Sequence, residues 1–425
     1  MASVAEVPLE QLDAEVRAWL AGDVAQLRDP YPMFAALRAQ SPVHELGSVV
    51  VLSRYDDVKV ALREVDRFSS RVFIGDRARE AVAAMTPEQR DDFEACADQD
   101  ALSVSHSDDD QHVRLRRIFH RAFTPRRVAE MRATVESYTD RMLAPFGPHD
   151  VVDLREVAYR LPLFIITDML GVPESDHDII HEWSLKIGAS RGMVEPGVLH
   201  DARIAIAEFR DYLTERAESI RSGRSPGGTI VEALLDDQEQ EHLTPDELTA
   251  NFVLLLFAGH ETTTNLIATG LLGLLEQRAQ WELLCSDPAA MAHRTTDELL
   301  RYVSPVQLTQ RVAREDASFG GVPVPEGRHI IMLNGSANRD GAVFERADEV
   351  DIEREGPGHL SLGFGPHFCL GAALAELEGE VALSRLATRY PRMELDRPAD
   401  QLEWAGNAML RTLVELPIAL GPLHG

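Results

Sequence analysis

Apolar residues recur at helical spacing over most of this chain, and runs of β-branched residues interrupt that spacing in two places. The first run, residues 49–53, predicts a strand, and a helix is expected over residues 55–62. The second run lies between residues 312 and 333 and predicts several short strands. Helical patterns dominate residues 112–301. We therefore expect a mainly α fold with small β-sheets, in the α+β class.

The patterns indicate one domain over residues 1–425, with no internal repeat. Its expected parts are a β-rich lobe at about residues 30–70 and 312–335, a helical lobe at about 112–301, and a glycine-punctuated loop at 359–371. Residues 71–110 are long and charged, and their acidic end at 96–110 predicts a solvated loop or a lid.

One helix has an unusually clear start. Thr244, Pro245 and Glu247 form a capping box with proline at the first helical position. No proline or other stop follows until beyond Gln277, so the helix should contain roughly 30 residues and span about 45 Å. Residues 252–257 are apolar all round, which predicts that the middle of this helix is buried.

Composition limits the classes of function. Lys+Arg 42 against Asp+Glu 70 gives a net charge of -28, which argues against a nucleic-acid partner because phosphate backbones bind basic surfaces. Three cysteines are too few and too scattered for a disulfide framework or a four-cysteine zinc site. The longest apolar run, residues 252–258, is too short to span a bilayer, and residues 1–23 lack a signal-length apolar stretch. We expect a soluble cytoplasmic protein.

The strongest chemical signal is a cysteine delivered by a glycine-rich loop to the start of a helix. Residues 362–371 read Leu-Gly-Phe-Gly-Pro-His-Phe-Cys-Leu-Gly, and Gly363 and Gly365 permit backbone angles that a Cβ would forbid. Unpaired N–H groups at the helix start favour the thiolate form of Cys369, which suits a soft metal centre such as a heme iron. The alternative is a packed core cysteine.

This loop resembles the heme-binding signature of the cytochrome P-450 superfamily, Phe-Gly-x-Gly-x-His-x-Cys-x-Gly, and the whole chain resembles the soluble bacterial members. Leu362 stands where the pattern usually has phenylalanine. The resemblance implies heme b, with Cys369 as the axial ligand of the iron and with Phe364, His367 and Gly371 also contacting the heme. It also implies that the long helix crosses the heme.

A second match lies within that long helix. Ala258, Gly259, Glu261 and Thr262 fit the family pattern Ala-Gly-x-Asp/Glu-Thr. The small residues would let a flat cofactor approach the backbone, and the resemblance implies that Thr262 and Glu261 relay protons to O2. The structural alternative is a threonine that bonds back to a carbonyl one turn earlier, with Glu261 paired to a distant arginine.

Further residues acquire expected roles from the resemblance. The heme propionates need cationic partners, and the expected set is His112, Arg116, Arg311 and His367. Glu298 and Arg301, at i and i+3 on one helical face, are expected to form a buried structural cluster with Arg354. The expected pocket for substrate comprises Leu255, Ala258, Val306, Leu308 and Met409.

The resemblance implies a monooxygenase that inserts one atom of O2 into a small organic substrate. Electrons would come from a separate ferredoxin and ferredoxin reductase, so NAD(P)H would serve only those partners. A basic patch for the ferredoxin is expected at Arg114, Arg117, Arg121, Arg126 and Arg127, although these could simply be solvated helix faces. Two alternatives remain: a peroxygenase or non-inserting oxidase of the same fold, and a heme-binding sensor or carrier without turnover.

Overall fold

The computed structural model describes residues 7–190, 195–223 and 243–421. Its helices are α1 (Leu9–Leu20), α2 (Val24–Arg28), α3 (Tyr31–Gln40), α4 (Tyr55–Arg63), α5 (Asp76–Ala83), α6 (Pro87–Ala101), α7 (Asp109–His120), α8 (Pro125–Glu130), α9 (Arg132–Leu143), α10 (Leu154–Met169), α11 (His177–Ala189), α12 (Pro196–Arg221), α13 (Pro245–Glu276), α14 (Arg278–Ser286), α15 (Pro288–Val303), α16 (Asn334–Ala337) and α17 (Ala372–Arg389). The expected mainly α architecture is confirmed.

The strands are short and form four small sheets in the described part of the chain. They are β1 (Val43–Leu46), β2 (Val49–Leu52), β3 (Phe68–Ser69), β4 (Val151–Asp153), β5 (Thr309–Ala313), β6 (Ala317–Phe319), β7 (Val322–Val324), β8 (His329–Met332), β9 (Glu394–Leu395), β10 (Trp404–Gly406), β11 (Arg411–Leu413) and β12 (Pro417–Ala419). The largest sheet has the order β1-β2-β8-β5-β3, and only the β2–β8 pairing in it is parallel. It therefore joins the two predicted β-rich segments, one near each end of the chain.

Helix α13 forms the axis of the fold and begins where the sequence predicts. The Thr244 hydroxyl accepts from the Glu247 amide at 3.1 Å, and the Glu247 carboxylate accepts from the Thr244 amide at 3.0 Å. The helix has 32 residues and is buried along most of its length. A Cβ at Gly270 would lie 2.8 Å from Leu299, so this glycine allows α15 to approach α13 closely.

Most of residues 71–110, for which the charged sequence predicts no clear element, form helices α5 and α6, and α6 includes part of the expected acidic loop. Thr86 starts α6 with a capping box: its hydroxyl accepts from the Gln89 amide, and the Gln89 side chain accepts from the Thr86 amide. The sequence Thr-Pro-Glu-Gln at residues 86–89 carries the same signal as the start of α13. Only residues 102–108 of the expected acidic loop lie outside helices.

A buried ionic cluster ties α15 to the segment that leads to the cysteine loop. Arg301 donates to both carboxylate oxygens of Glu298 at 2.7 and 2.8 Å, and Arg354 donates to the same carboxylate at 3.1 and 3.2 Å. Arg301 also donates to the backbone carbonyls of Asn338, Ala347 and Glu349. The three side chains meet as expected. The arginine donors satisfy backbone carbonyls in the irregular segment at residues 338–349 and hold it against α15.

Within the described ranges, no helix combines the length and the apolar character needed to cross a bilayer.

Candidate functional site

A cavity of about 370 Å³ lies between the middle of α13 and the cysteine loop. Its lining includes Cys369 and Leu362 from the loop and Ala258 and Thr262 from the helix. Although most of α13 is buried, Ala258 in its middle is exposed, which marks the turn of the helix that faces the cavity. The cavity thus brings together the two motifs that lie more than 100 residues apart in the sequence.

The cysteine loop has the geometry that its glycines predict. Gly363 and Gly365 adopt φ values of 74° and 76°, in the left-handed region. A Cβ at Gly365 would lie 3.1 Å from the Cα of Arg63, so α4 leaves room only for glycine. The Cys369 amide donates to the Leu362 carbonyl at 2.7 Å, which closes the loop and directs the cysteine to the cavity.

Two opposing effects act on the Cys369 thiol. Burial raises its pKa, while a hydrogen bond from the Gly371 amide and the nearby Arg116 guanidinium lower it. Burial has the larger effect on this pKa in the protein alone. The N–H groups at the helix start therefore account for only part of the electrostatics at the Cys369 thiol. A coordinated metal ion deprotonates a thiol outright, and the Gly371 amide and Arg116 then stabilise the resulting thiolate.

Cationic and imidazole groups gather at one end of the cavity. Arg116, Arg311 and His367 line it, and the ring of His112 packs on His367 at a centroid distance of 3.9 Å. Burial, with other cations nearby, lowers the pKa of His367 to about 2, and burial lowers that of Arg311 to about 10. Buried cations crowded together without enough carboxylates indicate a site built for an anionic group.

The residues present fit a heme. Among the described side chains, Arg311 Nε and His112 Nε2 are buried without a hydrogen-bond partner, as expected for groups that bind the carboxylates of a cofactor. Cys369 supplies one soft ligand, and nothing lies within 4 Å of a Cβ placed on Gly371. The four expected propionate partners are therefore brought together, although His112 stands behind His367 instead of lining the cavity.

Thr262 and Gly259 both line the cavity, and each also has a structural role in α13. The Thr262 hydroxyl donates to the Ala258 carbonyl at 2.6 Å, which is the structural alternative considered for it, and yet the residue also lines the cavity. Gly259 lines the cavity too, but a Cβ on it would point 3.3 Å from Ile166 of α10. This glycine thus allows two helices to pack closely, in addition to any role near a cofactor.

Glu261 points away from the cavity, toward a polar cluster between α10, α11 and α13. Its carboxylate lies 3.7 Å from Nδ1 of His260, and the rings of Tyr159 and His181 pack on His260. Burial raises the pKa of Glu261, and Arg155 partly opposes that rise. Burial also lowers the pKa of His260 to about 3, so its imidazole is neutral.

Three expected site residues lie elsewhere. Phe364 packs against the β-rich lobe under the ammonium of Lys59, because the loop turns at Gly365 and sends this ring outward. Leu308 packs in a core cluster with the N-terminal helices, so its side chain is directed away from the cavity that Val306 and Thr309 line. Arg114 forms an ion pair with the buried Glu247 and so belongs to the interior of the fold.

The remaining expected pocket residues, Leu255, Ala258, Val306 and Met409, line the cavity. Sequence reasoning missed two titratable neighbours. His106 lines the cavity, and its Nδ1 lies 3.2 Å from Asp100. Glu378 also lines it, although only 1% of this residue is exposed and its Oε2 has no partner among the described atoms. Glu378 could have been identified from the sequence, because it falls on the same apolar face of α17 as Leu374.

The buried Glu378 should make stability depend on pH. Burial raises its pKa well above 4.5, so unfolding releases a proton over the pH range between the unfolded and folded values. Folding stability then falls by up to about 1.4 kcal/mol for each pH unit as pH rises through this range. Glu378→Gln cannot ionise, so we expect its advantage over the parent in denaturant unfolding to grow as pH rises above the ordinary carboxyl pKa of 4.5. Parallel stability curves for the two proteins would show that Glu378 is already ionised when folded.

Comparisons with known proteins agree with this geometry. The family model described as Cytochrome P450 matches residues 198–281 and 291–413. The chain is 35% identical over 404 residues to the vitamin D(3) 25-hydroxylase of Pseudonocardia autotrophica, with 93% of this chain and 94% of that protein covered. It is 34% identical over 403 residues to the 6-deoxyerythronolide B hydroxylase of Saccharopolyspora erythraea, with 92% and 96% covered.

Solved structures give the same result. The cytochrome P450 PksS of the Bacillus subtilis 168 bacillaene polyketide synthase superposes with a TM-score of 0.82 at 31% identity, covering 93% of this chain and 98% of that chain. The likeness therefore extends over nearly the whole chain, in sequence and in fold.

Proposed function

The chain belongs to the cytochrome P450 family and is a heme-thiolate monooxygenase, and from this premise we propose that it inserts one atom of O2 into an apolar secondary metabolite. The observation that carries the proposal is the cavity that both Cys369 and Thr262 line. The relatives are named as hydroxylases, which favours oxygen insertion over a sensor or a carrier.

We assign heme b to this cavity, where Cys369 would supply the thiolate ligand of the iron and Arg116, Arg311, His112 and His367 would pair with the propionates. When bound, the heme supplies an iron centre for O2 activation, and the thiolate donates electron density that favours O–O cleavage. The cation-rich end of the cavity fixes the orientation of the cofactor, because the propionates gain charge-assisted hydrogen bonds only there.

Thr262 and Glu261 handle protons in this proposal. The Thr262 hydroxyl hydrogen is engaged by the Ala258 carbonyl, so its oxygen lone pairs remain to accept from a water in the cavity. A water held there can pass a proton toward the O2 site. Glu261, whose pKa burial raises, restores protons from the other side of α13. Because Glu261 does not line the cavity, that transfer requires a side-chain rotation or an intervening water.

Replacing Thr262 tests this role. We expect Thr262→Ala to bind heme normally but to lower product formed per NADPH consumed by at least about tenfold, because a positioned acid–base group contributes about 10²–10⁴ in rate. The matched control is Thr264→Ala, since Thr264 also donates to a carbonyl one turn earlier, that of His260, at 3.0 Å. Equal coupling in Thr262→Ala and the parent would contradict the assignment.

Much of the cavity lining is apolar, which supports a hydrophobic substrate. Leu255, Phe257, Val306, Met409 and Leu410 are among the residues that line the cavity. The relatives are named as hydroxylases of vitamin D(3) and of 6-deoxyerythronolide B, and we propose apolar substrates of that kind here. Optical titration of the ferric protein tests this: a saturable shift of the Soret band with such compounds supports the class. A shift only with small polar compounds would contradict it.

Electron delivery is proposed to come from a ferredoxin, reduced by its own NAD(P)H-dependent reductase. With Arg114 engaged by Glu247, the proposed docking patch reduces to Arg117, Arg121, Arg126 and Arg127 at the ends of α7 and α8. Helix α7 also carries Arg116, which lines the cavity, so the patch lies near the cofactor site.

Charge reversal tests this patch. We expect Arg126→Glu combined with Arg127→Glu to raise the KM for an acidic ferredoxin at least about tenfold at low salt, with the difference shrinking as salt is added. The single variant Arg160→Glu, an exposed arginine on α10, serves as a control for net charge. Equal KM values for all three proteins would rule out the patch.

A further inference from the structure

Outside the cavity, three residues with metal-binding side chains converge where α11 crosses α13. His181 comes from α11, His260 and Glu261 come from α13, and one ligand atom from each lies within 4.8 Å of the others. We propose that His181, His260 and Glu261 form a binding site for a divalent transition-metal ion of the Zn²⁺ type. Two imidazoles and one carboxylate are a set that Zn²⁺ accepts, with a fourth position left for water.

The hydrogen bonding of His260 prepares it to be a ligand. Its Nε2 lies 3.0 Å from the Tyr159 carbonyl oxygen, and because a carbonyl only accepts, Nε2 must carry the hydrogen. Nδ1 of the neutral ring therefore presents its lone pair to Glu261. A metal-binding histidine commonly donates its other N–H to a backbone carbonyl in this way, which fixes both the tautomer and the orientation of the ring.

The spacing of His260 and Glu261 suits a shared ion better than a direct bond. Their Nδ1 and Oε1 atoms are 3.7 Å apart, which is longer than a hydrogen bond. Two ligands held at about 2.0–2.2 Å from one tetrahedral ion lie about 3.4 Å apart. Closing the remaining gap to His181 takes shifts of about an ångström, which side-chain rotation supplies.

His181 completes the site from the partly exposed side. Its ring centroid lies 4.9 Å from that of His260, with the two planes inclined at 74°. The ring of Tyr159 packs on both imidazoles, at 4.4 Å from His260 and 5.2 Å from His181, and holds them in place. His260 is buried whereas His181 is partly exposed, so an ion would enter past His181.

The surrounding charges favour a divalent cation. Asp178 acts on His181 from the preceding turn of α11, and Glu261 adds a second carboxylate. Arg155 opposes them, but its Nε is committed to the Leu413 carbonyl at 3.0 Å and its guanidinium lies over the Tyr159 ring. Imidazole ligands select Zn²⁺, Ni²⁺ or Co²⁺ over Mg²⁺ and Ca²⁺, which require oxygen ligands.

Occupancy would have a functional consequence that rests on the proposed function. A coordinated Glu261 carboxylate can neither rotate nor carry a proton, so the metal should lower product formed per NADPH. It would also tie α11 to α13 and so hold two walls of the site together.

The test is calorimetric titration of Zn²⁺ into holoenzyme previously treated with a chelator. We expect one saturable site that Mg²⁺ does not compete for, and at least about tenfold weaker affinity at that site in His181→Gln, as for loss of a supporting metal-site group. His177→Gln, on the same helix, is the matched control and should keep the affinity of the parent. Heme absorbance and the melting temperature of each variant verify folding.

Equal Zn²⁺ affinity in the parent, His181→Gln and His260→Gln would overturn the site, as would the lack of any saturable binding. The calorimetric result does not depend on turnover. Zn²⁺ binding that is lost in His181→Gln but leaves the parent's coupling unchanged would support the metal site and contradict the proton role of Glu261.

Discussion

Replacing Cys369 with serine is expected to abolish both turnover and the red-shifted absorption of the reduced CO complex. A serine hydroxyl keeps the size of the side chain but does not supply a thiolate, so the axial donation that defines this heme class is lost. The loop itself should survive, because the Cys369 amide, and not its sulfur, makes the bond to the Leu362 carbonyl. Heme incorporation, the CO difference spectrum and product formation are the measurements.

The matched control is Cys285→Ser on α14. Cys285 is partly buried like Cys369 but lies outside the cavity, and burial raises the pKa of its thiol to about 11. This variant should keep the spectrum and the activity of the parent. A normal red-shifted CO complex in Cys369→Ser would refute axial ligation by this residue.

The second large effect is expected from Arg301→Ala. The substitution removes the two hydrogen bonds from Arg301 to the Glu298 carboxylate and takes the arginine donor away from the backbone carbonyls of Asn338 and Ala347. Breaking a buried ion pair from one side costs about 3–5 kcal/mol, and Glu298 would keep Arg354 as its only arginine partner. This is a large fraction of the stability of an ordinary domain. We expect little folded, heme-loaded protein, measured by heme content and by the denaturation midpoint.

A control on the same helix separates this effect from loss of positive charge. Arg294 is half exposed, and its nearest carboxylate, that of Glu355, lies at 3.7 Å. Arg294→Ala should change the free energy of unfolding by no more than about 1 kcal/mol, as for other surface pairs. If Arg301→Ala were as mild as Arg294→Ala, the cluster would not hold the segment before the cysteine loop.

The parts of the fold that the sequence predicts are those with strong local signals. The capping box and proline at Thr244 place the start of α13, and the glycines around Cys369 predict the turn of the loop. Helix α6 carries the same type of capping box at Thr86, yet its acidic composition conceals a helix that has few apolar residues on one face. For this segment the capping box at Thr86 predicts the helix better than the acidic composition does.

The sequence predicts the site residues that belong to motifs. It predicts less well the residues whose side-chain direction depends on tertiary packing. Cys369 and Thr262 belong to motifs and meet across the cavity. Leu308 and Phe364 neighbour residues that line it, but Leu308 packs with the N-terminal helices and the turn at Gly365 directs Phe364 to the β-rich lobe. The cluster around His260 joins three helices distant in sequence, so only the folded chain reveals it.

Isotope labelling of the product tests the central claim most directly. With a substrate identified by the Soret titration, turnover under ¹⁸O2 with ferredoxin, reductase and NADPH should place one ¹⁸O atom in the product, as read by mass spectrometry. Turnover in H2¹⁸O under ordinary O2 should place none. Product that carries no oxygen from O2, or that forms only when peroxide is supplied, would contradict the monooxygenase account.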